Sequence, residues 1–186
     1  MSEQVVTSEH IKIPADNGLS VEQLVISDIA EVVDLARHDL QGLQVFGGNE
    51  SVKIYSSPEH VASEILASNA YPLYYVVLGI KQDEKITGLL TLARRDAKVG
   101  VLAYWVAEPF RGQGQAPRAV QALSSYLFER TQVERLIALV AGGDNPNTAS
   151  MRTMQKAGFS FAGDVEKDGK DFYRYELRKP TQSSVE

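Results

Sequence analysis

The chain has no cysteine. Covalent thiol catalysis, thiolate metal sites and disulfides are therefore excluded, and no redox requirement places the protein outside the cytoplasm. Histidine is scarce. His10, His38 and His60 are too scattered for metal-ligand spacing, so surface or helix-end positions account for them and no metal is expected. No apolar run approaches membrane-spanning length, and the polar N-terminus lacks the apolar segment of a secretion signal, which makes a soluble cytoplasmic protein the expectation. Positive charge is in the minority. With 19 Lys and Arg against 24 Asp and Glu, the net charge of −5 argues against nucleic acid or a membrane surface as partner and leaves room for a cationic amine. Internal repeats and low-complexity tracts are also absent. The 186 residues suffice for one domain with a core of its own, as a monomer or a homodimer.

The most informative stretch runs from Tyr104 to Gln121, Tyr-Trp-Val-Ala-Glu-Pro-Phe-Arg-Gly-Gln-Gly-Gln-Ala-Pro-Arg-Ala-Val-Gln. Val99, Val101, Tyr104, Trp105 and Val106 predict a half-buried strand that Pro109 stops. Gly112 and Gly114 form a turn with no Cβ between the main chain and anything laid against it. Ala116, Val120, Leu123 and Leu127 then recur with the period of one buried helix face. A helix that opens at a glycine loop points unpaired amides and the positive end of its dipole outward, which suits an anion such as a pyrophosphate. A glycine turn that binds nothing is the alternative. A dinucleotide fingerprint needs glycine or alanine where Pro117 stands, and the Gly-Lys-Ser/Thr of a P-loop is missing. What remains is Arg-x-x-Gly-x-Ala, from Arg111 through Gly114 to Ala116.

At these residues the chain resembles the GNAT superfamily of acetyl-CoA-dependent N-acetyltransferases, whose signature is Arg/Gln-x-x-Gly-x-Gly/Ala at the start of the central helix. The Tyr-Trp-Val before the loop is similar to the branch that acetylates ribosomal protein N-termini. A second block agrees: Asn147-Thr-Ala-Ser150 followed by Lys156-Ala-Gly158-Phe159 resembles the Asn-x-x-Ser and Lys-x-Gly-Phe of that superfamily.

The remaining elements follow in order. Residues 1–18 read as a loose arm with room for a short edge strand, residues 19–179 as one domain, and residues 180–186 as a disordered tail. Leu19, Val21, Leu24, Val25 and Ile26 predict a first strand, and Asp28 with Glu31 reads as a helix-opening cap. Ile29, Val32, Val33, Ala36 and Leu40 supply one helix face. Residues 41–56, with Gly42, Gly47 and Gly48, read as a long irregular loop, and the resemblance implies that this region closes over the acceptor. Ser57-Pro58 opens a second helix, with Val61, Ala62, Ile65 and Leu66 on its buried side. Residues 71–81 and 86–94 predict two strands joined at a polar hairpin, and Val99 to Val106 a third. Leu136 to Val140 predicts a strand buried on both faces. A short helix over residues 148–156 and a hairpin across Asp168-Gly169 complete the chain. This order signals a mixed α/β layer fold. The resemblance implies a mostly antiparallel sheet, splayed between the fourth and fifth strands, with helices on both faces.

The chemistry follows the same division. The amides of Gly112, Gln113, Gly114, Gln115 and Ala116 are expected to hold the pyrophosphate of acetyl-CoA while Arg111 adds charge; Pro117 removes one donor, and Arg118 reads as a solvated helix residue. By resemblance, the pantetheine arm lies in the splay, Trp105 and Val106 line the acetyl site, and the Val106 amide steadies the carbonyl oxygen. Asn147 and Ser150 also suit helix capping. The resemblance implies that Asn147 bonds the pantetheine and that Ser150 passes a proton to the departing thiolate. Two departures from the superfamily stand out: Met154 occupies the place of a frequent tyrosine acid, and Val101 that of a frequent glutamate. Glu108 is the nearest carboxylate for a general base, with a solvated rim position as its plainer reading and water as the other carrier of the proton. The resulting expectation is an N-acetyltransferase acting on a primary amine, namely a peptide or protein N-terminus or a small amine. The alternatives are a non-catalytic acyl-CoA-binding module and an interaction domain whose loop binds nothing.

Overall fold

The computed structural model describes residues 10–71, 74–94 and 96–181. Eight strands form one sheet: β1 (Lys12–Pro14), β2 (Leu19–Gln23), β3 (Tyr75–Gln82), β4 (Lys85–Arg94), β5 (Val99–Val106), β6 (Arg135–Ala141), β7 (Ser160–Lys167) and β8 (Lys170–Arg178). Their spatial order is β1-β2-β3-β4-β5-β6-β8-β7, and every neighbouring pair is antiparallel except β5 and β6. Five helices cover it: α1 (Ile29–Arg37), α2 (Leu40–Tyr55), α3 (Pro58–Ala70), α4 (Gln115–Arg130) and α5 (Thr148–Lys156). The expected mixed α/β architecture, with helices on both faces, is the one found.

Strand alternation builds two cores on one sheet. Val76, Leu78, Leu90, Leu92 and Leu102 point to the face covered by α4 and α5, while Val77, Leu89 and Trp105 point to the face covered by α1, α2 and α3. The β3–β4 hairpin turns on Asp83 and Glu84, both at positive φ (50° and 67°), the backbone that matches the twist of its strands. At the far end, α5 closes in a Schellman motif. Phe159 N–H donates to Met154 C=O at 2.9 Å and Gly158 N–H to Gln155 C=O at 3.0 Å.

Four expectations need correction. Residues 41–56 are helical rather than looped: α2 runs from Leu40 to Tyr55 and bends at Gly47 and Gly48, whose φ/ψ leave the helical region. Packing of Leu43 and Tyr55 into the core overrides the low helix propensity of three glycines. The Asp28 carboxylate does not cap α1; it accepts the Val25 N–H at 2.9 Å, and Glu31 reaches across to the Ile86 N–H at 2.8 Å. Leu40 begins α2 and Leu66 points to solvent, so neither belongs to the core. Finally, β6 is not buried on both faces. Leu136, Ala138 and Val140 are buried beneath α4 and α5, but Arg135, Ile137 and Leu139 on the other face are only half-buried. Most of the tail, residues 182–186, and the first half of the arm, residues 1–9, lie outside the described residues. The arm does contribute the edge strand β1.

Candidate active site

The parallel pairing of β5 with β6 covers Val99–Val101 against Arg135–Ile137 and then stops. Beyond it the strands diverge, which is the expected splay. The Ala107 N–H donates to Thr87 C=O at 2.9 Å, so the backbone groups of Trp105 and Ala107 face β4. Alternation then turns the N–H and C=O of Tyr104 and Val106 into the gap. On the opposite side, β6 is paired to β8 throughout and presents its other edge.

The gap opens onto the glycine loop. Gly114 is the N-cap of α4 with φ 72° and no side-chain cap, so the first amides of the helix have no partner from the capping residue. A Cβ placed at Gly112 or Gly114 would meet nothing within 4 Å, so the loop surface is open to a ligand at both glycines. The loop is braced from behind. Gln115 is buried, and its side-chain oxygen accepts the Thr87 hydroxyl at 2.7 Å, so this side chain is not available to a ligand. Gln113 Nε2 donates to Pro109 C=O at 3.1 Å. Arg118, expected in solvent, instead pairs with Asp16 at 2.9 Å and donates to Gly114 C=O at 3.1 Å.

Asp39 is a centre that sequence reading missed. It is 5% exposed, caps α2 by accepting the Gly42 N–H at 3.1 Å, and accepts the Trp105 indole N–H at 2.9 Å. The same carboxylate binds the Arg111 guanidinium, whose Nε donates to Val106 C=O at 2.9 Å. A Cβ at Gly42 would collide with both Arg111 and Asp39, so glycine is what lets the three elements meet. Arg111 thus fixes the carbonyl of Val106, the residue whose amide faces the gap, and Trp105 is held in one orientation.

The second omission is Tyr104. Alternation places it on the α5 side of the sheet, where its hydroxyl lies 3.1 Å from Ser150 Oγ. Burial raises its pKa above the ordinary tyrosine value, the bond to Ser150 opposing, so the phenol stays protonated at neutral pH. Ser150 sits in the first turn of α5, where its amide is capped by Asn147 Oδ1 at 3.0 Å. The serine hydroxyl is therefore not consumed by the cap. Met154 is fully buried in the core, and Glu108 is exposed on a 3₁₀ turn, residues 108–110, at the rim. Among the described residues no cluster of three or more His, Asp or Glu could hold a metal ion, and no helix is long and apolar enough to cross a membrane.

Comparison with known proteins places this geometry. No curated protein sequence matches significantly. Among solved structures, the fold is similar to RimL, a ribosomal L7/L12 α-N-protein acetyltransferase in complex with coenzyme A, at 20% identity and TM-score 0.80, covering 90% of this chain and 98% of that one. It is similar to Mycobacterium smegmatis RimJ in complex with a CoA disulfide, at 20% identity and TM-score 0.77, covering 91% and 86%. It is also similar to the microcin C7 self-immunity acetyltransferase MccE in complex with acetyl-CoA and AMP, at 18% identity and TM-score 0.75, covering 88% and 93%. At these identities the likeness is one of fold. The sequence itself matches the acetyltransferase (GNAT) domain over residues 22–160, and with the splay, the glycine loop and the capped Asn-x-x-Ser turn all in place, the protein belongs to that family.

Proposed function

We propose that the protein is an N-acetyltransferase that moves an acetyl group from acetyl-CoA directly to a primary amine, the N-terminus of a peptide or protein or a small amine. The observation that carries this reading is the gap between β5 and β6, which opens onto the uncapped start of α4 with Tyr104 and Ser150 on its flank. RimL, a ribosomal L7/L12 α-N-protein acetyltransferase that shares the fold, supports a protein N-terminus as the acceptor.

The roles follow from position. The main-chain amides of Gly112 to Ala116 hold the pyrophosphate, while Arg111, paired with the buried Asp39, fixes the Val106 carbonyl beside them. The pantetheine lies in the gap as a strand would, bonded to main chain on β5 and to Asn147. Trp105 and Val106 border the acetyl group. The amine nitrogen attacks the thioester carbon; the carbonyl oxygen gains charge against the Val106 N–H; the C–S bond then breaks. Ser150 donates its proton to the sulfur and is reprotonated from water, while Tyr104, kept protonated by burial, holds Ser150 Oγ in place through its hydrogen bond. The proton lost by the amine goes to water or to Glu108. No covalent enzyme intermediate forms.

Release of free CoA thiol from acetyl-CoA across a panel of peptides and small amines tests the reading. Thiol release with at least one amine, and an acetylated product, is the expected result. Silence with every amine, while acetyl-CoA still raises the melting temperature, replaces the enzyme with a non-catalytic acyl-CoA-binding module.

A further inference from the structure

The two faces of the sheet are covered unequally. Under α4 and α5 the sheet is buried as far as β6 and β8, with Leu136, Ala138, Val140 and Tyr175 all in the core. On the other face, cover from α1, α2 and α3 stops at β5. Val99, Val101, Ala103, Ile137 and Leu139 are half-buried there, and Ala93 is exposed. The result is a shallow apolar floor that runs from the gap outward over β6, β8 and β7.

Charge on this floor is mostly positive. The register sets Arg135 opposite Arg178, Ile137 opposite Glu176, and Leu139 opposite Arg174, all on the same face. At the hairpin end Lys167 and Lys170 share that face, while Asp164, Glu166 and Asp171 fall on the other. Five cations therefore accompany one carboxylate. Glu176, its side chain 11% exposed, is shared by Arg174 and Arg178 at 3.4 Å and by Arg135 at 3.7 Å, and the three arginine side chains remain 42%, 73% and 36% exposed. Arg174 Nε is buried without a hydrogen bond among the described residues and its Nη2 donates to Ala162 C=O at 3.2 Å, so the outer N–H groups of Arg135 and Arg178 are the ones a peptide meets first. A chain of net charge −5 has gathered a positive surface beside its gap.

We propose that this face selects the acceptor: it binds an acidic peptide segment that lies immediately behind the N-terminal amine. The proposal rests on the acetyltransferase reading and adds the substrate class to it. Distances fit an extended chain. Leu139 borders the gap, Arg174 stands one strand away at about 4.8 Å, and Arg135 with Arg178 lies four residues down, at about 13 Å. A peptide whose amine reaches into the gap thus lays roughly its second to fifth residues over the arginines. Planar guanidinium groups that share a single carboxylate have free N–H groups for Asp or Glu side chains of the acceptor. Electrostatic selection of this kind acts on specificity and encounter rate, and salt weakens it.

The test uses two peptides of equal length with the same first residue, one with Asp and Glu at positions two to five, the other with Asn and Gln there. Thiol release should favour the acidic peptide by about tenfold in kcat/KM at low salt, with the preference shrinking as salt is added. The double variant Arg135→Gln/Arg178→Gln should bring that ratio close to one, while acetyl-CoA raises the melting temperature as it does for the parent, which shows that the fold is kept. Equal kcat/KM for the two peptides overturns the proposal, as does a preference that survives the double variant and a further Arg174→Gln change. So does a short single-stranded RNA that competes better than the acidic peptide. Direct binding of both peptides to the CoA-loaded protein separates the two claims. Acidic preference in binding without thiol release overturns the catalytic reading and keeps the acidic site; thiol release with equal binding and equal rates overturns the acidic site alone.

Discussion

Toward β4, strand β5 is paired along seven residues, from Gly100 opposite Arg94 to Val106 opposite Gly88; toward β6 it is paired along three, and the rest of that edge is left open. The same eight residues thus serve two ends. Main-chain groups that face β4 complete a ladder and hold the core together, while those of Tyr104 and Val106, offset by one residue, face the gap. On the proposed reading a binding site is made by withholding strand pairing, with a helix start placed where the pairing ends. If this division is real, changes around the open edge should alter turnover and ligand affinity, and changes behind the paired edge should alter stability.

The largest effect is expected at the open edge. Ser150→Ala should lower kcat by about a hundredfold, with the KM for acetyl-CoA little changed and the fold intact, because the Asn147 cap binds the Ser150 amide and not its hydroxyl. Since burial raises the Tyr104 pKa, ionisation of that phenol should produce no break in kcat between about pH 6 and 9. A full-rate Ser150→Ala enzyme breaks the comparison. Next, Gly114→Val should weaken acetyl-CoA affinity by about 10- to 50-fold in calorimetric titration, since a β-branched side chain resists φ 72° and its Cβ enters the open approach. Unchanged affinity would remove the glycine loop from the site. The smallest effect belongs to the paired edge. Thr87→Val keeps side-chain volume but deprives the buried Gln115 oxygen of its donor, and should cost about 1–2 kcal/mol in urea unfolding with acetyl-CoA affinity retained.

Much of this half of the molecule was readable because its signals are local. The loop from Arg111 to Ala116, the Asn147 cap, the Gly158 stop and the hairpin at Asp168-Gly169 each declare themselves within a few residues, and each is found where expected. What escaped depends on distance along the chain. Asp39 meets Trp105 and Arg111 across 66 and 72 residues, and no local pattern announces such a partnership. Three glycines disguised α2 as a loop, although Asp39 directly before Leu40 is the residue type that opens a helix. The apolar run in β6 gave no hint that α1, α2 and α3 stop short of it, because coverage is a property of neighbours and not of the strand. Ser150 could be named from its motif, whereas its partner Tyr104 required the knowledge of which way that strand faces.

Asp39 has one further bearing, on how the molecule can be re-engineered. The helices beside the acceptor side are the obvious parts to exchange when a new amine is wanted, and this carboxylate travels with them while Trp105 and Arg111 stay behind. A transplant from a relative that lacks an acid at this spot would strand an indole N–H and a guanidinium together, and the graft would fail at its seam before its selectivity could be measured. Any such chimera has to bring its own aspartate, and a Gly42 small enough to let it in.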